Sequence, residues 1–201
     1  MARLSDATDA DLRGEFEAIR ARLPTPWGRF VWPRLIVLPH SFARFRKVTG
    51  GACVWWFWVV ADPALADAPA DARHFVLAHE WGHVARGHAA RLLAFWTLCF
   101  PLVWMIIWTG VQGTRYALLG PIAALFALWG SMVLRSIRLE FEADRVAAEI
   151  VGAEGGPRAI LNLVEWAGQT WKPSHTRRLA ALRALANPGA SSNTGRADLP
   201  A

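Results

Sequence analysis

Two histidines four residues apart with a glutamate between them, His79-Glu80-Trp81-Gly82-His83, hold the most specific chemistry in this chain. On a helix of about 3.6 residues per turn, positions four apart share a face, so both imidazoles reach one metal ion while Glu80 lies beside its open side. Zinc takes neutral imidazole nitrogen well, and three protein ligands leave a fourth position at which the pKa of a water falls to about 7. A carboxylate in the place of Glu80 then serves as general base, accepting a proton from the attacking water and returning it to the leaving nitrogen. The pattern implies metal-dependent hydrolysis. The plainer alternative is a helix surface on which two histidines fall at i and i+4.

A third ligand is required. The extended pattern H-E-x-x-H-x-x-G-x-x-H fails here, because Gly87 and His88 are one residue out of step with it. Downstream, Leu139-Glu140-Phe141-Glu142-Ala143-Asp144-Arg145 sets Glu140 and Asp144 one helical turn apart on a common face, with Glu142 turned roughly 200° from Glu140. Glu140 is suited to ligate the metal. Asp144 is suited to hydrogen-bond the far nitrogen of a ligand histidine and fix its tautomer. An acidic patch answering Arg138 and Arg145 on a solvated helix is the competing account. His74, five residues before His79, turns away from the metal face and suits a surface or capping role.

His79-Glu80-Trp81-Gly82-His83-Val84-Ala85-Arg86-Gly87-His88, followed by Glu140-Phe141-Glu142-Ala143-Asp144-Arg145, resembles the M48 family of zinc metallopeptidases, which includes the bacterial HtpX and eukaryotic CAAX-processing Ste24 enzymes. The resemblance implies zinc held by His79, His83 and Glu140, a catalytic Glu80 and a supporting Asp144. It implies a mainly α fold with a small β-sheet, a zincin-like metallopeptidase domain, and protein or peptide substrates. Pro39-His40-Ser41-Phe42-Ala43 is similar to a family segment in which Asn stands where this chain has His40, and His88 matches a histidine often present there, its spacing favouring a structural hydrogen bond over ligation. Near the C-terminus the family carries His-Pro with Arg a few residues on, a pair implied to stabilise the oxyanion. This chain reads Lys172-Pro173-Ser174-His175-Thr176-Arg177-Arg178, so Arg178 keeps its place, Lys172 replaces the histidine, and His175 is a substitute candidate. A basic helix facing water or headgroups is the alternative for that segment.

Between the two halves of the site lie residues 92–108 and 116–134, each free of charge and each near the length needed to cross a hydrocarbon layer of roughly 30 Å. Joined by residues 109–115, they predict a transmembrane hairpin inserted into the catalytic domain, with Pro101 and Pro121 expected to kink it. Trp96, Trp108, Tyr116 and Trp129 suit interfacial anchoring. Arg86, Arg91, Arg135, Arg138 and Arg145 flank the pair, and only Arg115 occupies its loop, so the positive-inside bias puts both termini and the site in the cytoplasm of a multi-pass inner-membrane protein. An even number of crossings returns both half-sites to one side of the bilayer. Two buried core helices in a soluble protease are the alternative.

Further expectations concern the frame. Residues 8–23 predict an amphipathic helix with Leu12, Phe16, Ile19 and Leu23 on one face, ended by Pro24 and docked on the domain or on the bilayer. Residues 34–38 and 53–60 predict strands, the second a buried core strand or an edge that takes up extended substrate. A metal helix over 71–91 runs toward or into the first span, and helices follow over 135–151, 158–167 and 175–186, with Gly155-Gly156-Pro157 as a break. The expected organisation is 1–91 and 135–186 as catalytic domain, 92–134 as hairpin and 187–201 as a disordered tail.

Composition agrees. The chain is 54% hydrophobic with twelve tryptophans, and its net charge of +6 is dispersed among membrane-proximal segments, which favours anionic headgroups over nucleic acid. No base-reading motif, internal repeat or signal peptide is evident, and Cys53 and Cys99 are not placed to pair. A catalytically silent relative, acting as a binding or regulatory module, is the function class opposed to a peptidase.

Overall fold

The computed structural model describes residues 2–23, 34–55, 57–111 and 119–187 of the chain. It divides into two compact units, Met1–Arg86 with Phe141–Ala201, and Gly87–Glu140. The first is α+β. Helix α1 (Ala2–Arg22) precedes strand β1 (Leu35–Val37), helix α2 (Ala43–Thr49), and strands β2 (Ala52–Trp55) and β3 (Trp58–Ala61). After a 3-10 turn (Pro63–Asp67) come α3 (Ala70–Ala85), the C-terminal end of α5 (Leu119–Val151), α6 (Gly155–Trp166) and α7 (Pro173–Ala186). The second unit holds α4 (His88–Val111) and the N-terminal part of α5.

Helix α3 is the axis of the first unit, buried along most of its length. The stripe expected on α1 docks against this core rather than lying free: Leu12, Phe16 and Ile19 are buried and Leu23 is partly so. Phe16 meets the buried Trp81 ring edge-on at 5.7 Å, and the Trp81 indole N–H donates to the Leu23 carbonyl at 3.1 Å. The tryptophan thus fills the back of the metal helix and satisfies its single polar atom there. At the side of the same contact, the Glu15 carboxylate takes Arg73 Nε at 2.6 Å and His74 Nδ1 at 2.9 Å. His74 is therefore held by α1, away from the His79 and His83 pair.

The sheet has the order β1-β3-β2, with β1 parallel and β2 antiparallel to β3. The single strand expected over 53–60 is a hairpin instead, because Trp55 pairs with Trp58. Its turn was hidden by an unbroken aromatic run with none of the Gly, Asn or Asp that ordinarily marks such a reversal. The expectation that this run is simply core holds for Val59 and Ala61, which are fully buried, and fails for Trp55 and Trp58, which are 60% and 42% exposed. Buried Asp62 links sheet to helices by accepting the Phe42 N–H at 2.8 Å and the Ala64 N–H at 2.9 Å.

Helix boundaries also differ from the sequence reading, α1 for one beginning at Ala2 where residue 8 was expected. The metal helix does not run on into α4: it ends at Ala85, and Gly87, at φ 64°, takes the left-handed conformation that stops a helix at little cost to glycine. Conversely, α5 is unbroken from Leu119 to Val151, where separate segments at 116–134 and 135–151 were expected. Gly155-Gly156-Pro157 opens α6 instead of breaking the chain, since a proline in the first helical turn removes an N–H that has no intrahelical partner anyway.

In the second unit one stretch, His88–Met105, is long and apolar enough to cross a membrane, and only 6% of it is buried. Phe100, Trp104 and Trp108 of α4 and Phe126 and Leu134 of α5 are exposed. Arg135 lies over the Phe95 ring at 5.3 Å. The first residues of the expected loop, 109–111, belong to α4, while its remainder, the start of the second span, Pro24 and the tail from residue 188 fall in residues 24–33, 112–118 and 188–201, outside the described residues.

The half-buried Glu15 carboxyl is pushed up by burial, but the hydrogen bonds and charges of His74 and Arg73 outweigh this and hold it below its ordinary value of 4.5. A depressed carboxylate stabilises the fold above its unfolded pKa, and the benefit is lost as pH falls through the folded pKa. Thermal melts of the wild type should therefore drop in midpoint below about pH 4.5, and Glu15→Gln should lower the neutral-pH midpoint and flatten this acid dependence. Parallel curves for the two proteins would show that the α1 latch is not electrostatic.

Candidate metal centre

The site is assembled where α5 crosses α3 at close range. A Cβ added to Gly82 would meet the Ala143 Cα and the Val146 Cβ at 3.2 Å, so the helices touch through backbone where any larger residue would separate them. Ala143 and Val146 are buried at the same contact. The division between the two units falls within α5, directly after Glu140, so Glu140 sits on the same continuous helix one turn before Asp144.

His79, His83 and Glu140 converge, each offering one ligand atom, with all three atoms within 4.8 Å of one another. The two Nε2 atoms are 3.2 Å apart. Neighbouring nitrogens on a tetrahedral zinc with bonds of about 2.0–2.1 Å stand roughly 3.3 Å apart, so the imidazole pair already has the spacing of two such ligands. Two imidazoles and one carboxylate form a donor set suited to zinc with a position left over. The residues fit the metal that the motif implies.

The opposite side of His79 is equally constrained. Its Nδ1 lies 2.8 Å from Asp144 Oδ1, which places the proton on Nδ1 and leaves the Nε2 lone pair toward the ligand cluster. Arg178 of α7 donates to both Asp144 oxygens, Nε to Oδ2 at 2.7 Å and Nη2 to Oδ1 at 2.5 Å, and its Nη2 is 3.4 Å from His79 Nδ1. Burial would push the Asp144 carboxyl up, but the hydrogen bonds and charges of His79 and Arg178 prevail and hold it at about 2. Asp144 is thus an anion at every physiological pH. Bidentate pairing with arginine orients it as well as neutralising it.

Glu80, between the two histidines on α3, is 9% exposed. Burial, and after it the charge of Glu80, push the Cys53 thiol of β2 up, and this edge strand packs against α3, the helix that carries Glu80. That neighbour was not anticipated, and neither was the function of Gly82; nothing in an apolar strand or in the unspecified positions of the histidine motif points to them. His175 is not among the grouped ligands. Its Nδ1 accepts the Lys172 N–H at 3.3 Å at the head of α7, and its pKa is lowered by burial and by the charges of Arg178 and Lys172. Glu142 is not in the ligand group either. His88 is buried at the start of α4, and His40 is exposed.

The family model for peptidase family M48 matches residues 58–186. The chain belongs to this family. No curated protein and no solved structure matches the chain. The matched span starts in β3 and ends with α7, so it takes in α3, the ligand-bearing turn of α5 and the Arg178 helix, and an M48 peptidase is metal-dependent.

For this M48 member, Asp144→Asn should keep the fold but lower metal affinity by about 10–100-fold, the usual cost of losing a partner behind a ligand histidine. Titration with a competing chelator measures it. Unchanged affinity would show that the Asp144 contact does not orient His79. Gly82→Ala should cost about 1–3 kcal/mol by overpacking the helix crossing, read as a lower unfolding midpoint.

Proposed function

We propose that this chain is a zinc-dependent endopeptidase set in a membrane, hydrolysing peptide bonds at the cytoplasmic face with Glu80 as general base. The observation that carries the proposal is the convergence of His79, His83 and Glu140 beside a largely buried glutamate on the metal helix. When bound, zinc supplies a Lewis acid that polarises the scissile carbonyl and acidifies water. Glu80 accepts the proton of the attacking water and passes it to the departing amine nitrogen. Asp144, held by Arg178, keeps His79 in the tautomer that presents Nε2. Arg178, which donates to both oxygens of Asp144, is the cationic side chain we assign to the charge developing on the substrate carbonyl oxygen. Strand β2, an edge strand packed against α3, offers backbone to an extended peptide.

The membrane part of the proposal rests on α4. An apolar stretch of 18 residues that is almost wholly exposed differs from the core helix of a soluble protein, which would be mostly buried. With 116–134 as the returning span, an inner-membrane protein with both termini cytoplasmic follows from the arginine distribution. The second reading is a silent relative acting as a binding or regulatory module; Lys172 in the family's histidine position, with His175 engaged at the head of α7, favours it.

Detergent-purified wild type should contain one zinc per chain and cleave an unstructured polypeptide, while Glu80→Gln should retain the metal and lose about 10²–10⁴ in rate. Equal cleavage by the two proteins would remove the catalytic role of Glu80. Metal bound with no cleavage by either would select the silent module.

A further inference from the structure

The cations of the first unit divide into those engaged by a carboxylate and those that are not. Arg13, Arg73 and Arg158 each meet one, as does Arg178 at the metal centre. Arg44 and Lys47 of α2, with Lys172 and Arg177 at the head of α7, are exposed and make no ion pair among the described residues. Their segments are one-sided in charge: residues 34–61 and residues 166–187 carry four cationic side chains each and no carboxylate. Of the carboxylates that border them, Asp62 is buried and taken by the Phe42 and Ala64 N–H groups, which leaves Glu165 on α6.

The two segments are joined in space. Gln169, between α6 and α7, donates to the Arg46 carbonyl at 3.3 Å, and Arg46 lies over the Trp166 ring at 5.7 Å. A Cβ added to Gly168 would meet the Lys47 Cε at 3.8 Å. The connection runs on to Trp171, which is 44% exposed, donates its indole N–H to the Thr176 hydroxyl at 2.8 Å and meets the His175 ring at 5.4 Å. Arg177 then precedes Arg178, the arginine that holds Asp144 behind His79. A surface of unpaired cations, with the Trp171 ring beside Lys172, thus passes from α2 to the helix that closes the metal centre.

We propose that this surface is an exosite for acidic stretches of polypeptide, so that the substrates are chains with clustered Asp and Glu to one side of the cleaved bond. The proposal rests on the peptidase reading above and adds a substrate class to it. Carboxylates are the complement in charge, arginine takes them through paired N–H donors, and an exposed tryptophan offers contact to the apolar side chains between them. Polypeptide is the occupant because the surface leads to Arg178, and a chain cut at the metal extends beyond the site on both sides. Stretches rich in Lys and Arg are turned away by the same field.

The test gives the full-length, zinc-loaded protein in neutral detergent three unstructured peptides that share one cleavable core and carry Glu-rich, Gln-rich or Lys-rich flanks. The Glu-rich peptide should exceed the Gln-rich one in kcat/KM by about five- to tenfold, chiefly through KM, and most of the gap should close between about 0.05 and 0.5 M salt. In Arg44→Glu with Lys47→Glu, and separately in Lys172→Glu with Arg177→Glu, the ratio of these two rates should fall to about one or below, a ratio that partial unfolding leaves unchanged. Equal rates for all three peptides, or an acidic preference that survives both double variants, would overturn the exosite and leave the peptidase standing. Equal rates together with binding of phosphatidylglycerol or of an oligonucleotide that the double variants lose would assign the surface to another polyanion. Where no peptide is cleaved, anisotropy decides: selective binding of the Glu-rich peptide, lost in the double variants, keeps the acidic-peptide surface and overturns only the peptidase reading. Absence of that binding overturns both.

Discussion

The close crossing of α3 and α5 at Gly82 and Ala143 is the constraint on which the site depends. A ligand set drawn from two helices needs their axes near enough for a short carboxylate side chain to reach imidazoles on the other helix, and backbone-to-backbone contact provides that distance. The spacing of Glu140 and Asp144 then has a clear meaning. One turn apart on α5, one carboxylate joins the ligand cluster while the next stands behind His79. The remainder of the first unit holds α3 against this crossing: α1 covers the Trp81 side, and α6 and β2 pack against α3 from others.

A chain of charges runs outward from the same crossing. Arg178 neutralises Asp144, and Asp144 accepts the Nδ1 proton of His79. Had the carboxylate lacked its arginine, burial would have pushed its pKa up and weakened its hold on the imidazole proton. The arginine comes from α7, over thirty positions further along the chain than Asp144. Folding of the C-terminal helices is thereby coupled to the tautomer of a histidine on α3, and through it to the readiness of the site to take a metal.

The legible and illegible parts of the molecule divide along physical lines. The pair His79 and His83 and the pair Glu140 and Asp144 were each visible because helical spacing fixes which side chains share a face, while their joining in one site was implied by the family resemblance. The stripe of α1 was visible for the same reason. Arg178 was picked out by position, but its pairing with Asp144 depends on where α7 docks, which no local spacing encodes. The β2–β3 hairpin was missed because the aromatic run that holds the Trp55–Trp58 pair carries none of the residues that mark a turn, and the break at Gly87 because the apolar content continues across it. Gly82 has a tertiary purpose, and a glycine inside a helix announces only a local cost until its neighbour is known.

Those failures share a direction. In the hairpin and in α4, aromatic and aliphatic residues stand exposed where water as the only solvent would disfavour them. Sequence rules for turns and cores assume an aqueous exterior, and the membrane setting proposed above would give exposed apolar residues a different one. For a peptidase this arrangement has a consequence for selectivity. Under the membrane setting proposed above, a site tethered at a bilayer surface would meet chains that emerge from the membrane at high local concentration, so substrate choice would rest on geometry above the lipid as much as on the contacts around Glu80.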